Sequence, residues 1–394
     1  MVGKKKPLLL IFPMDMAAHY LRCLELGKRI QDQFEIKVAA SQKYRNYIAD
    51  SGFEMFSAEN FNSEEIRQAA LDFDFSWISK KHIERVLYSQ IKAIEEYKPE
   101  LVLGDTSLPL KMAAERTSTK FVSLLNGYMT KYYRYTRKVS RKHPGYQYSK
   151  KIPSKVFDML THRIENASFR KIHEPFRAIR KELKLREQQF YLDEFEGDIN
   201  LICDLPEIFP QIKMPSNYSF IGPLFYINGR EEVELLEFIT KFERRILITA
   251  GSTGDLEKLK FLADTPFRKY GMIVSGDSNS SLYGPNILSR PFINHLSILP
   301  KMDLMICHGG NGTIYQSLAC GIPVLAFPMI FEQEWNADRI EELGLGAFME
   351  EGIETQLFLS KIDEWMLKKD SPKLLKMQES IRSYLEKPIK IITD

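Results

Sequence analysis

The chain has 394 residues, more than a single hydrophobic core usually serves, so we expect two domains. Hydrophobic residues make up 44% and charged residues 27% of the chain, which is typical of a globular protein and excludes a disordered or fibrous one. The 55 basic and 52 acidic side chains leave a formal charge of +3, too close to neutral for a nucleic-acid-binding protein. The four cysteines form no CxxC pair, which argues against a zinc site and favours a reducing, cytoplasmic location.

The N-terminal segment MVGKKKPLLLIFPMDM places basic residues before an apolar run, as signal peptides do. The run covers only residues 8–12 and has no small-residue cleavage site after it, so a buried β-strand is the better interpretation. No other segment reaches the ~20 apolar residues of a membrane helix.

Along the chain, short apolar runs alternate with helical patterns. The first series predicts strands at 8–12, 36–40, 101–104 and 121–125, with helices at 19–32, 43–50 and 108–116. Such alternation is typical of parallel βαβ units and an α/β fold. The alternation stops over 126–195, which we predict to be mostly loop and helix.

The alternation resumes with strands at 199–203 and 219–221. The Gly- and Pro-containing segment FIGPLFYINGR and a charged helix at 231–241 then indicate a linker. After it, a second series predicts strands at 245–250, 271–275, 286–288, 304–307 and 324–327. The pattern predicts two Rossmann-like halves.

The stretch from residue 304 to residue 346 carries the clearest chemical signal. A buried strand ends at Cys307, and a turn with three glycines leads into a helix near Thr313. Backbone N–H groups at a Gly-rich helix start attract phosphate, and the side chains of His308 and Thr313 would add donors. A single Gly-rich turn of this kind is about as often a structural turn without a ligand as it is a phosphate site. A second polar cluster, Glu332, Gln333 and Asn336, follows the next strand, and two clusters at strand ends favour a ligand site.

The segments HGGNGT, GIPVLAFP, EQEWNA and GLG resemble the C-terminal signature of the family 1 nucleotide-sugar glycosyltransferases, which have the GT-B fold. The resemblance implies two Rossmann-like domains that face each other across a cleft. It implies an acceptor-binding domain at 1–225, a linker at 226–240, a nucleotide-sugar-binding domain at 241–378, and a segment at 379–394 that packs back on the first domain.

The resemblance also assigns donor contacts. The diphosphate would be held by residues of the Gly-rich turn and of the loop after strand 245–250: His308, Gly310, Asn311, Gly312, Thr313, Ser252 and Thr253. Phe292 would stack on the base, and the backbone of Ile293 would bond its edge. Gln316 stands where the family often has a ribose-binding Glu, and an amide accepts one hydrogen bond and donates another. Glu332 and Gln333 would contact the donor sugar.

For the reaction itself, the resemblance implies that His19 is the general base and that Asp105 orients it. A histidine poised near neutral pH suits proton abstraction, and a carboxylate on its other nitrogen fixes the tautomer. The implied activity is inverting transfer of a sugar from UDP or dTDP to a hydroxyl of a small molecule, lipid or glycan, with no cofactor and no metal ion.

Residues 116–157 contain no acidic side chain, and within them the segment at 131–151 is basic and rich in tyrosine. Contact with an anionic membrane is one interpretation, and recognition of an acidic acceptor is another. Nucleic acid is disfavoured because no nucleic-acid-binding fold accompanies the segment. An ordinary solvated loop is the remaining interpretation.

Two other functions stay open at this point. A sugar-nucleotide epimerase on the same fold would also grip a nucleotide diphosphate, and it would convert its donor without any acceptor. A non-catalytic nucleotide-binding partner subunit is the second, because Gln316 and the segment after Phe292 depart from the family pattern.

Overall fold

The computed structural model describes residues 6–227, 232–251, 254–276 and 282–391. The chain divides into two compact units. The first unit comprises Met1–Tyr226 together with Pro388–Asp394, and the second comprises Ile227–Lys387. Each unit has its own parallel sheet with helices, so the predicted pair of Rossmann-like domains is confirmed.

In the first unit the described residues form seven strands and seven α-helices. Their bounds are β1 Leu8–Pro13, α1 Ala17–Ile30, β2 Glu35–Ala39, α2 Arg45–Asp50, β3 Glu54–Phe56, α3 Ser63–Asp72, α4 Lys80–Tyr97, β4 Leu101–Asp105, α5 Leu110–Thr117, β5 Lys120–Leu125, α6 Ser154–Ile172, α7 Glu174–Glu182, β6 Ile199–Ile202 and β7 Tyr218–Phe220. The strand order is β3-β2-β1-β4-β5-β6-β7. Strands β2 and β3 therefore lie on one side of β1, and β4 and the later strands lie on its other side.

The apolar run of β1 explains its central place. Leu9 to Pro13 are all buried, as expected for a parallel strand with helices over both faces. Leu10 and Phe12 belong to one hydrophobic cluster, while Leu9 and Ile11 belong to another. Because successive side chains of a strand point to opposite faces, one strand contributes to both cores.

The C-terminal residues return to the first unit. Ile389 and Ile391 are buried in the same cluster as Leu9. The side chain of Gln33 donates to the carbonyl of Ile389 (2.7 Å) and accepts from the amide of Ile391 (3.2 Å).

The second unit contains, within the described residues, six strands and six α-helices. Their bounds are α8 Val233–Ile239, β8 Arg245–Thr249, β9 Gly271–Ser275, β10 Ile287–Arg290, α9 His295–Ile298, β11 Leu304–Cys307, α10 Asn311–Ala319, β12 Val324–Ala326, α11 Phe331–Leu343, β13 Gly346–Phe348, α12 Thr355–Met366 and α13 Pro372–Glu386. The strand order is β10-β9-β8-β11-β12-β13. Here the direction of sheet building changes between β8 and β11.

Two predicted boundaries are wrong. The predicted domain end at 378 falls inside α13, which continues to Glu386, and the second unit ends at Lys387. The predicted linker at 226–240 contains α8, which is part of the second unit, and its Leu235 and Ile239 are buried. Their apolar side chains need a core to pack against, so this helix cannot serve as an exposed connection.

Candidate active site

The first candidate site lies where the sheet of the first unit changes direction. β1 and β4 are paired there, with Pro13 opposite Asp105, the last residue of β4. His19 is in the first turn of α1, the helix that follows β1. Its Nδ1 lies 2.8 Å from Oδ1 of Asp105. The structure thus brings together the two residues that the sequence pairs across 86 positions, at the place where open α/β sheets bind ligands.

Arg22 is a third member of this group, and the sequence analysis missed it. Its guanidinium bonds both carboxylate oxygens of Asp105. It also donates to Oδ1 of Asn126 (2.7 Å), and its Nη2 lies 3.1 Å from Nδ1 of His19. The available signal was the spacing, because His19 and Arg22 are three residues apart and share one face of α1.

Asp105 stays ionised in this setting. Burial would raise the pKa of its carboxyl group, but the charges and hydrogen bonds of Arg22 and His19 outweigh burial and hold that pKa well below its usual range. An ionised carboxylate only accepts hydrogen bonds, so Nδ1 of His19 is the donor in their contact. In the neutral ring, this partner therefore assigns the proton to Nδ1 and the lone pair to Nε2. The His19 side chain is 17% exposed, whereas Asp105 is fully buried.

The second candidate site lies at the corresponding place of the other sheet. β8 and β11 are paired there, and His308 follows β11 directly. A Cβ added to Gly251, in the loop after β8, would lie 2.2 Å from Cε1 of His308, and a Cβ added to Gly310 would lie 2.4 Å from its Nε2. The ring therefore lies between two glycine backbones that no larger residue could replace without displacing it.

His308 is a neutral donor in this structure. Burial lowers the pKa of its imidazole from 6.5 to about 4. Its Nδ1 is buried and has no hydrogen-bond partner among the described residues. The predicted role in binding a diphosphate therefore has to rest on an N–H donor rather than on a positive charge already present.

The Gly-rich turn opens α10 as the sequence predicts. Gly310 is the N-cap residue, and no side chain caps the helix. The amides of Gly312 and Thr313 consequently have no carbonyl partner within the helix. Gly309 has a φ of 85°, and a Cβ there would lie 3.0 Å from the carbonyl oxygen of Gln333. Glycine is thus required by both the backbone conformation and the close approach of α11.

The other predicted donor contacts fall into three groups. Gln316 accepts a hydrogen bond from Nδ1 of His295 (3.0 Å), which leaves its amide NH₂ as the group to offer a ligand. Gln333 is buried, and its Oε1 accepts from the backbone amide of Met329 (2.8 Å), so it also fixes the start of α11. Phe292 is 48% exposed, whereas Ile293 is buried.

Two further observations complete the donor region. Glu332 is half-buried in the first turn of α11, beside Gln333. A cavity of about 250 Å³ adjoins His308 and is lined by Thr249, Phe327 and Met329, which belong to or follow β8 and β12. The predicted contacts Ser252 and Thr253 lie outside the described residues.

The basic segment at 131–151 is only partly available to a partner. Arg137 donates to both carboxylate oxygens of Glu165 (3.1 Å each) and to the carbonyl oxygen of Tyr128 (2.6 Å). Lys131 pairs with Glu196 (2.8 Å). Arg137 is therefore unavailable to a membrane or an acidic acceptor, as two interpretations of the segment would require, because its side chain is only 10% exposed. Among the described residues, no helix combines the length and apolarity needed to cross a bilayer.

Comparison with known proteins shows which proteins this chain is similar to. Residues 245–387, which lie within the second unit, match the glycosyltransferase family 28 C-terminal domain. A PGL/p-HBAD biosynthesis glycosyltransferase of Mycobacterium tuberculosis is 20% identical over 359 residues, covering 88% of this chain and 82% of the relative.

Solved structures share the fold over almost the whole chain. The calicheamicin glycosyltransferase CalG4 has a TM-score of 0.67 at 16% identity and covers 97% of this chain and 95% of its own. The spinosyn rhamnosyltransferase SpnG complexed with thymidine diphosphate has a TM-score of 0.67 at 16% identity and covers 95% of this chain and 96% of its own. These similarities, together with the two parallel-sheet units, identify the chain as a glycosyltransferase of the GT-B fold.

Proposed function

We propose that this glycosyltransferase moves a sugar from dTDP or UDP to a hydroxyl group of its acceptor with inversion at the anomeric carbon, and that His19 is the general base. The observation that carries the proposal is the 2.8 Å contact between Nδ1 of His19 and Asp105 at the point where the first sheet changes direction. It supports the proposal because, in the neutral ring, it places the proton on Nδ1 and the lone pair on Nε2, and the ring is still accessible.

In the proposed step, the acceptor oxygen forms a bond with the anomeric carbon while its proton passes to Nε2 of His19. The bond between that carbon and the diphosphate oxygen breaks, and the nucleotide diphosphate leaves with the electron pair. Asp105 remains ionised and stabilises the imidazolium that forms. Arg22 keeps the carboxylate fixed through bonds to both of its oxygens.

The second unit supplies the proposed donor site. Negative charge on the departing diphosphate would meet the amides of Gly312 and Thr313 and the positive end of the α10 helix dipole. His308 would add an N–H donor, and the partly exposed ring of Phe292 offers a face for the base. The structurally similar SpnG is complexed with thymidine diphosphate, which supports testing dTDP-sugars first.

The test is acceptor-dependent release of nucleotide diphosphate by the purified chain. Candidate dTDP- and UDP-sugars are incubated with phenolic and aliphatic alcohol acceptors, and both products are measured by chromatography and mass spectrometry. We expect His19→Gln to lower turnover by about 100-fold or more, the usual effect of losing a general base.

The matched control is Gln316→Ala, which changes the proposed donor site and leaves His19 intact. We expect His19→Gln to leave the dissociation constant of the nucleotide diphosphate unchanged by calorimetry, whereas Gln316→Ala should raise it. Full turnover by His19→Gln would contradict the assignment of the base.

A further inference from the structure

Helix α6 carries an apolar face that is turned to solvent. Of its 19 residues only Thr161 is buried. Val156, Met159, Leu160 and Ile164 are exposed by 42%, 48%, 37% and 63%. Three of them are four residues apart, so they form one stripe along the helix. Isolated exposed apolar side chains are ordinary, but a stripe of this kind indicates an interaction surface.

Basic side chains border this stripe. Lys155, Arg163, Arg170 and Lys171 of the same helix are all exposed. The two acidic residues of α6, Asp158 and Glu165, are seven positions apart and share the other side of the helix, where Glu165 binds the inward-pointing Arg137. The solvent face of α6 thus combines apolar and cationic groups.

The chain before α6 also carries exposed basic and tyrosine side chains. Arg134, Lys150 and Lys151 are exposed, as are Tyr135 (45%) and Tyr148 (51%). Tyrosines with an apolar ring and a polar tip suit the boundary between lipid and water. We call the solvent face of α6, together with the exposed side chains of Tyr148, Lys150 and Lys151 just before it, the α6 surface.

These observations point to one occupant. A second copy of the chain docking by the same face would place cations against cations, which is unfavourable. An anionic bilayer offers acyl chains to the apolar stripe and phosphate groups to the surrounding cations. We propose that the α6 surface binds an anionic phospholipid membrane, with α6 lying in the plane of the interface. This inference does not depend on the proposed transfer chemistry.

The test is sedimentation of the full chain with vesicles of neutral phosphatidylcholine, with or without 30 mol% phosphatidylglycerol. Wild type should bind the mixed vesicles at low salt and bind the neutral ones far more weakly. L160S/I164S should lower the partition coefficient about tenfold or more, because two apolar side chains no longer enter the interface. K150Q/K151Q/R163Q should lower it about 100-fold at low salt, since each cation near the surface contributes roughly fivefold.

Matched controls lie in the second unit. L357S/L367S removes two leucines that are exposed by 51% and 85%, and K241Q/K376Q/R382Q removes three exposed cations. Neither control should change vesicle binding. Intact folding of every variant is checked by its thermal transition, which exposed substitutions usually leave nearly unchanged.

Three results would overturn the proposal. The first is wild type that stays in the supernatant with the mixed vesicles at low salt. The second is an equal loss of binding in the controls and in the α6 variants. The third is a dimer by sedimentation velocity that L160S/I164S dissociates, which would make a second copy the occupant. Transfer activity is not a readout in any arm, so the result is independent of the assignment of His19.

Discussion

The burial of His308 predicts a pH dependence of stability. The ring lies against Gly251 and Gly310, and burial lowers its pKa from 6.5 to about 4 in the folded chain. In the unfolded chain the pKa returns to about 6.5. Between these two values the unfolded state binds more protons than the folded state, so the free energy of unfolding falls as the pH falls. Above pH 6.5 the ring is neutral in both states, so His308 no longer lowers the free energy of unfolding.

The magnitude follows from the same two pKa values. Relative to its value above pH 6.5, the free energy of unfolding is lower by about 3 kcal/mol below pH 4 and by about 2 kcal/mol at pH 5. His295 contributes in the same direction, because burial lowers its pKa too. Asp105, whose pKa is held below its usual range, loses its contribution only below about pH 4, outside this window.

Urea unfolding of the second unit at pH 7.5 and pH 5.0 measures this effect. Trp335 and Trp365 lie in the second unit, and Trp77→Phe removes the remaining tryptophan of the chain, so fluorescence then reports on that unit alone. In this background, the loss of unfolding free energy between the two pH values should be about 2 kcal/mol smaller for His308→Asn than for the parent.

The control substitution is His162→Asn, at a histidine whose side chain is 62% exposed. It should leave the difference between the two pH values unchanged. Equal pH dependence in the parent and in His308→Asn would refute the conclusion that His308 is buried and neutral.

Three further predictions concern single contacts. Gly310→Ala should lower the unfolding free energy of the second unit by about 1–3 kcal/mol, because the added methyl group overpacks against His308. Gly312→Ala should be neutral or stabilise by up to about 1 kcal/mol, because a Cβ there meets nothing within 4 Å. Equal effects of the two variants in urea unfolding would contradict the packing described. Arg22→Met should lower the unfolding free energy by about 3–5 kcal/mol, because it leaves the Asp105 charge buried without its main partner. Adding Asp105→Asn should recover part of that loss, and strictly additive effects of the two substitutions would argue against the pair. Gln333→Ala should cost about 1 kcal/mol because the amide of Met329 loses its acceptor, and an unchanged urea midpoint would show that this bond contributes nothing.

Much of the sheet architecture could be predicted from the sequence. Buried parallel strands are continuous apolar runs, and the predicted strands at 271–275 and 304–307 match β9 and β11. The three-residue strands β7 and β12 were predicted, but the edge strands β3 and β13 were missed because Glu54 and Gly346 leave them without a continuous apolar run. Helix boundaries shifted by one or two residues, as they do when no cap residue marks the end.

The candidate site was predictable as a set of residues but not as a network. The Gly-rich turn and His308 are contiguous in sequence, so their local geometry follows from residue types. The three-residue spacing places Arg22 on the same helix face as His19, but its partners Asp105 and Asn126 lie 83 and 104 positions away, so no local pattern shows what it bonds. The same holds for Arg137, whose partner Glu165 lies on a helix 28 positions later and turns an apparent surface cation inward.

In the proposed mechanism, His19 promotes direct displacement at the anomeric carbon. The most direct test of this mechanism is proton NMR of the first product formed from a donor of known anomeric configuration, with the acceptor that gives the highest turnover. The product should have the configuration opposite to that of the donor, and His19→Gln should form it about 100-fold more slowly or worse. A first product that retains the donor's configuration would contradict direct displacement, and with it the role given to His19.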